Sequence, residues 1–147
     1  MPVNFSDVFQ TDGNGFSLPD FGGTLGVVAM TVEYTDTTEK VGPELPPNVI
    51  PVWMFVSVTE DFDDTSGDTL DIGITGDSDY FALNVDVATA VNVDSSDTGF
   101  VVGRYGVLLE ESVNLVATYT ETTGDASQGS ANIVLVYFIA GESVTIE

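Results

Sequence analysis

The stretch of sequence that decides the fold is residues 49–59, VIPVWMFVSVT. Its alternate residues form two sets, one made of Ile50, Val52, Met54, Val56 and Val58 and the other of Val49, Trp53, Phe55 and Ser57. A period of two predicts a β-strand, and Pro51 is tolerated because it lies near the strand's start. Since both sets are largely apolar, we expect both faces of this strand to be covered.

Similar runs with a period of two recur along the chain, and no segment has a helical period. The predicted strands are residues 26–35, 49–59, 70–74, a less regular region over 80–93, 100–102, 113–119, 133–138 and 143–146. Turn signals separate them at Gly42-Pro43, Ser66-Gly67-Asp68, Gly76-Asp77, Gly103 and Thr123-Gly124-Asp125. Short strands at this spacing predict an all-β fold, an antiparallel β-sandwich of the jelly-roll type, over residues 24–147.

The first 23 residues differ from the remainder. They are rich in Asn, Asp, Gly and Pro, and their apolar residues follow no regular period: Phe5, Val8, Phe9, Phe16, Leu18 and Phe21. Exposed phenylalanines would be a liability in solution. We therefore predict that residues 1–23 form an extended N-terminal arm that lies across a neighbouring surface.

Charge limits the partners that the protein can bind. Lys40 and Arg104 are the two basic residues against 24 acidic ones, which gives a net charge of −22. Such a surface repels nucleic acids and anionic membranes, so we expect neither as a partner. Arg104 is expected to pair with a carboxylate at a buried or inter-subunit position, whereas Lys40 is expected in a solvated loop.

The residue types needed for most enzyme chemistry are missing. The chain has no cysteine and no histidine, which removes the usual nucleophile–base pairs and the commonest transition-metal ligands. The acidic stretch 60–64 does not have the spacing of a calcium-binding EF-hand loop, because Ser66 stands where glycine is needed. We predict no catalytic residue, no metal site and no cofactor.

The N-terminus has no basic segment followed by an apolar one, and no apolar run reaches about 18 residues. Neither a signal peptide nor a membrane span is therefore expected. Residues 133–138, like residues 49–59, are apolar on both faces. Loops or the arm could cover these strands, or other subunits could pack on them. The predicted interface residues are Phe5, Val8, Phe9, Phe16, Phe21, Trp53, Phe55, Arg104 and Phe138.

A family resemblance rests on the order of several segments. Residues 42–50 read GPELPPNVI, residues 69–81 read TLDIGITGDSDYF, and residues 116–119 (VATY) precede residues 131–137 (ANIVLVY). This succession, over roughly residues 24–140, resembles the small β-sandwich decoration (cement) proteins on the heads of tailed bacteriophages. The resemblance implies a homotrimer that binds the major capsid protein on the capsid surface and is assembled in the host cytoplasm. It implies no catalytic residues.

Other functions remain open on the sequence alone. A calcium-dependent carbohydrate or host-surface binding module is the main alternative, and an exposed Trp53 beside an acidic loop would favour it. A DNA mimic would present ordered rows of carboxylates to a basic protein. Halophilic adaptation would also explain the acidic composition, although it describes a habitat and not a function.

Overall fold

The computed structural model describes residues 17–18, 23–62, 67–88, 92–122 and 126–140. The strands are β1 (Ser17–Leu18), β2 (Gly23–Glu33), β3 (Lys40–Leu45), β4 (Val49–Glu60), β5 (Thr69–Ile74), β6 (Asp77–Asp86), β7 (Asn92–Asp94), β8 (Val113–Thr120) and β9 (Ser130–Ile139). A single 3-10 turn, Val102–Arg104, is the helical element of these residues. The predicted arm residues Phe5, Val8, Phe9, Phe16 and Phe21 and the predicted strand 143–146 lie outside the described residues.

The strands form two sheets, with the orders β1-β2-β9-β4-β7 and β3-β8-β5-β6. Four antiparallel pairs are nested along the chain: β5 with β6, β4 with β7, β3 with β8, and β2 with β9. A long hairpin that is rolled up in this way is a jelly roll. The predicted all-β sandwich is therefore confirmed.

The core lies between the two sheets and is built from the inward residues of each strand. Its largest fully buried side chains are Tyr119, Phe81, Leu45, Met54, Leu70, Ile72, Leu115, Ile133, Leu135, Val32, Val49 and Val56. Aromatic rings close one part of it, where Phe62 packs on Tyr119 with ring centroids 4.8 Å apart. Burial of these side chains stabilises the fold in place of surface ion pairs, for which the chain has almost no cations.

Strand β4 contains an irregularity that changes which residues face the core. Pro51 is opposite Tyr137 of β9 and Trp53 is opposite Val136, so Val52 is an extra residue, as in a β-bulge. Val49 is consequently buried, although strict alternation predicts that it shares a face with Trp53. After the bulge, Trp53 and Phe55 point outward and Met54 points inward, which the two apolar sets of the sequence do not decide.

Two other local predictions were wrong. Lys40–Leu45 is the strand β3 rather than a loop with a turn at Gly42-Pro43, and its register with β8 shifts between Val41 and Glu44. Pro43 is accommodated because β3 is at the edge of its sheet, where a missing N–H costs little.

Residues 100–102 do not form a strand of their own. Phe100 makes one isolated bridge to Ala82, and the chain then enters the 3-10 turn. The prediction was wrong because Phe100 is a single buried apolar side chain and does not belong to an alternating run.

Candidate interaction face

The outer face of the five-stranded sheet carries three cross-strand rows of apolar residues. Each row contains one residue from β2, one from β9 and one from β4. The rows are Leu25–Phe138–Ile50, Val27–Val136–Trp53 and Ala29–Val134–Phe55. We call these nine residues the apolar face. Because opposite residues on paired strands lie side by side, they form one continuous surface.

Several side chains of the apolar face are substantially exposed. The exposed fractions are 57% for Val27, 46% for Phe55 and 36% for Trp53. The rings of Trp53 and Phe55 meet edge to face, with centroids 6.2 Å apart and planes at 64°. An edge-to-face pair of this kind holds both rings in place, so the aromatic centre of the apolar face is a fixed shape.

The apolar face has a polar border. The next row is Thr31–Asn132–Ser57, in which the Thr31 hydroxyl donates a 2.7 Å hydrogen bond to Oδ1 of Asn132. Acidic residues border the face on two sides: Asp94 of β7 is opposite Phe55, and Glu33 and Glu60 lie in the row beyond Thr31–Asn132–Ser57. The nine positions of the apolar face thus hold no charge in a chain of net charge −22.

The outer face of the other sheet is different. It presents acidic residues within its strands, Glu44 opposite Asn114 and Asp71 opposite Thr118. The Asp71 carboxylate accepts a 2.8 Å hydrogen bond from the backbone N–H of Asn84. The sandwich therefore has one apolar and one acidic broad surface, and the apolar surface is the better candidate for contact with another protein.

Neither basic residue belongs to the apolar face. The guanidinium of Arg104 stacks over the ring of Tyr80, 4.5 Å from its centroid. Arg104 is exposed in the single chain, so it is not buried within the subunit, and its inter-subunit position stays a prediction. No carboxylate of the described residues lies within ion-pair distance of it. Lys40 forms a 2.9 Å ion pair with Asp36, and Asp36 also accepts a hydrogen bond from the Glu33 N–H.

The electrostatics of the acidic side chains are local. Desolvation opposes ionisation of Asp36, but the hydrogen bonds from Glu33 and Lys40 outweigh it and lower the pKa of that carboxyl. The pKa of Asp94 is lowered by hydrogen bonds from Ser96. Both carboxylates are thus used to shape turns, as is common for Asp.

Nothing in the described residues gathers ligands for a metal ion: no three acidic side chains come together there. Trp53 and Glu60 are seven residues apart on β4, about 20 Å at the rise of a strand. Trp53 therefore does not lie beside Glu60. The loop next to Trp53 contains Ser95 and Ser96 and is flanked by Asp94 and Asp97. Among the helices in the described part of the chain, none is long and apolar enough to span a membrane.

Sequence reasoning identified part of the apolar face. Trp53, Phe55 and Phe138, which come from two strands, are brought together on it. Val27 and Ala29 of β2 were not singled out, because Thr31 and Glu33 make the outer set of that strand look polar. Val27 and Ala29 could have been recognised because the polar residues Thr31 and Glu33 occupy only one end of the outer face of β2.

The paired strands and the two sheets define the chain as a jelly-roll β-sandwich. No protein-family model and no curated protein sequence matches it. A chain of the cyanophage Pam1 capsid asymmetric unit is similar, with a TM-score of 0.63 at 19% identity, over 95% of this chain and 99% of that chain.

Two further phage capsid structures contain a similar chain. The acid-stable capsid of Helicobacter pylori bacteriophage KHP30 gives a TM-score of 0.62 at 15% identity, over 80% of this chain and 89% of that chain. The capsid of Ralstonia phage GP4 gives a TM-score of 0.57 at 16% identity, over 82% and 86% of the two chains. At these identities the likeness establishes the fold.

Proposed function

We propose that the protein is a structural component of a bacteriophage virion, a decoration protein that stabilises the head by binding the major capsid protein. The observation that carries the proposal is the uncharged apolar face on a jelly roll whose structural neighbours come from three phage capsids. We further propose that the subunits form a trimer, as the family resemblance of the sequence implies.

The size of the chain supports an accessory role. The match to the Pam1 capsid chain covers nearly all of both chains, so the two are of about the same length. The described residues form one jelly-roll sandwich, which suits a small part added to an existing shell.

Charge and apolarity together support docking through the apolar face. In a chain of net charge −22, the nine positions of this face carry no carboxylate, so contact with a partner buries none there. No chemistry is required: the free energy gained by removing apolar surface from water suffices to hold subunits on a lattice of repeated sites.

The decisive experiment uses virus particles from the host whose genome carries this gene. Quantitative mass spectrometry of the purified particles should find many copies of the chain per particle. Treatment with denaturant below the threshold for shell opening should then remove it and leave closed shells, to which the purified chain rebinds. Particles without the chain would contradict a virion role, and shells that fall apart when it is removed would contradict decoration.

Matched variants locate the docking surface. Phe55→Asp places a charge on the apolar face, against the ring of Trp53, and should abolish rebinding to stripped shells. Val41→Asp makes the same change at a 64% exposed position on the other sheet and should rebind normally. Light scattering of the purified protein tests the trimer, which has three times the chain mass of 15.5 kDa.

A further inference from the structure

The apolar face needs a cover while the protein is free in solution. An outward residue on a sheet occupies about 4.8 by 6.7 Å, so nine of them present about 300 Å². A stable interface between proteins takes roughly 800 Å² from each partner, so a docked subunit would use residues around the face as well. In the free subunit, one short stretch of extended chain has enough area to cover the nine residues.

The chain before β1 starts at the border of this face. Strand β1 pairs with the edge of β2, where Ser17 is opposite Thr24 and Leu18 is opposite Gly23. Leu25, the next residue of β2, belongs to the first apolar row. Strand β1 therefore begins, at Ser17, opposite the residue of β2 that precedes the first apolar row.

Residues 1–16 are long enough and apolar enough to cover the face. Fully extended, they span about 50 Å, whereas the distance from β2 to β4 across β9 is about 10 Å. Four of the nine phenylalanines of the chain lie within its first 21 residues, and three of these, Phe5, Phe9 and Phe16, lie within the first 16. Their aromatic side chains suit a face centred on Trp53 and Phe55.

We propose that residues 1–16 fold back over the apolar face of their own subunit in the free protein. We favour a segment from the same chain because the short connection through β1 gives residues 1–16 an effective concentration in the millimolar range at their own apolar face. Donation by a second copy lacks the advantage of a tether within one chain. This inference concerns the free subunit and does not depend on a role in a virion.

A built-in reporter makes the inference testable. Trp53 is the sole tryptophan and lies in the middle row of the apolar face. In the protein lacking residues 1–16, we expect its fluorescence to shift to longer wavelength and to be quenched more strongly by acrylamide than in the full chain. Phe5→Ser with Phe9→Ser should produce the same change in a chain of unaltered length.

The controls separate this result from unfolding and from exchange between copies. Asp7→Asn with Asp12→Asn, in the same segment, should leave the fluorescence of Trp53 unchanged, and circular dichroism should show the same sheet in every variant. Equal quenching with and without residues 1–16 would overturn the proposal. So would a difference that appears only as the protein concentration rises, because that indicates donation by a second copy.

Discussion

The hydroxyl of Tyr119 donates a 2.6 Å hydrogen bond to Oδ2 of Asp68, and both side chains are buried. The backbone N–H of Thr122 also points to this carboxylate, at 3.4 Å from Oδ1. The bond ties the residue before β5 to the end of β8. A carboxylate inside a sandwich is tolerated only where donors compensate for its lost water.

Replacement of Tyr119 by Phe should therefore reduce the free energy of unfolding by about 1–3 kcal/mol, because it removes a donor from a buried acceptor. Tyr137→Phe is the matched control, since the Tyr137 hydroxyl makes no hydrogen bond within the described residues. Urea unfolding of both variants measures the difference. Equal losses would mean that the hydroxyl of Tyr119 contributes nothing specific.

A second prediction concerns Gly73 in β5. A Cβ atom there would overlap the backbone carbonyl of Asp77 and lie 2.6 Å from the carbonyl oxygen of Ser78. Backbone cannot rotate away as a side chain can, so Gly73→Ala should destabilise the protein by about 1–3 kcal/mol or more. Gly103→Ala, with no atom within 4 Å of its Cβ, should unfold at the same urea concentration as the parent.

The third prediction is a loss of stability at alkaline pH. Burial raises the pKa of the Tyr105 phenol. The unfolded chain releases this proton from about pH 10, while the folded protein retains it, so stability falls as the pH rises above that value. Unfolding free energies measured from neutral pH to about pH 11 should fall less steeply for Tyr105→Phe. Identical slopes for the two proteins would contradict this.

The fourth prediction concerns Asp36, whose pKa is lowered in the folded protein. The stability that ionised Asp36 contributes is fully present above pH 3.8, the usual pKa of the group in the unfolded chain. This stability is lost as the pH falls through the lower pKa of the folded protein. Asp36→Asn should cost about 0.2–1 kcal/mol at neutral pH and converge with the parent in acid. Glu39→Gln removes the same charge without a hydrogen bond, so it should cost nothing; a matching loss would mean that net charge is responsible.

Sequence predicts those features of this fold that depend on local patterns of residues, and it does not predict those that depend on position in the sheet. Alternation around Met54 and Val56 predicts a strand, because it is a local property, but both faces of this strand are apolar and the pattern does not say which one is buried. The extra residue Val52 is invisible in the sequence, since every neighbour is apolar and either phase satisfies the pattern. Pro43 was read as a turn because a strand's tolerance of proline depends on its position in the sheet, which is a tertiary property.

The candidate site shows the same limit. Trp53, Phe55 and Phe138 were singled out because their strands are apolar on both faces. That Val27 and Val136 complete the row of Trp53 follows from the register of β2, β9 and β4, which no single segment contains.

The pairing of β2 with β9 has a consequence for how the chain is made. Thr31 bonds to Asn132, 101 residues later, and β9 lies between β2 and β4. During synthesis, β2 and β4 leave the ribosome long before the strand that joins them, so the five-stranded sheet cannot close until β9 has been made. Dominance by such distant contacts slows folding. The high negative charge opposes compaction of the folded protein. The same charge would keep unpaired β2 and β4 from aggregating with other nascent chains on the polysome.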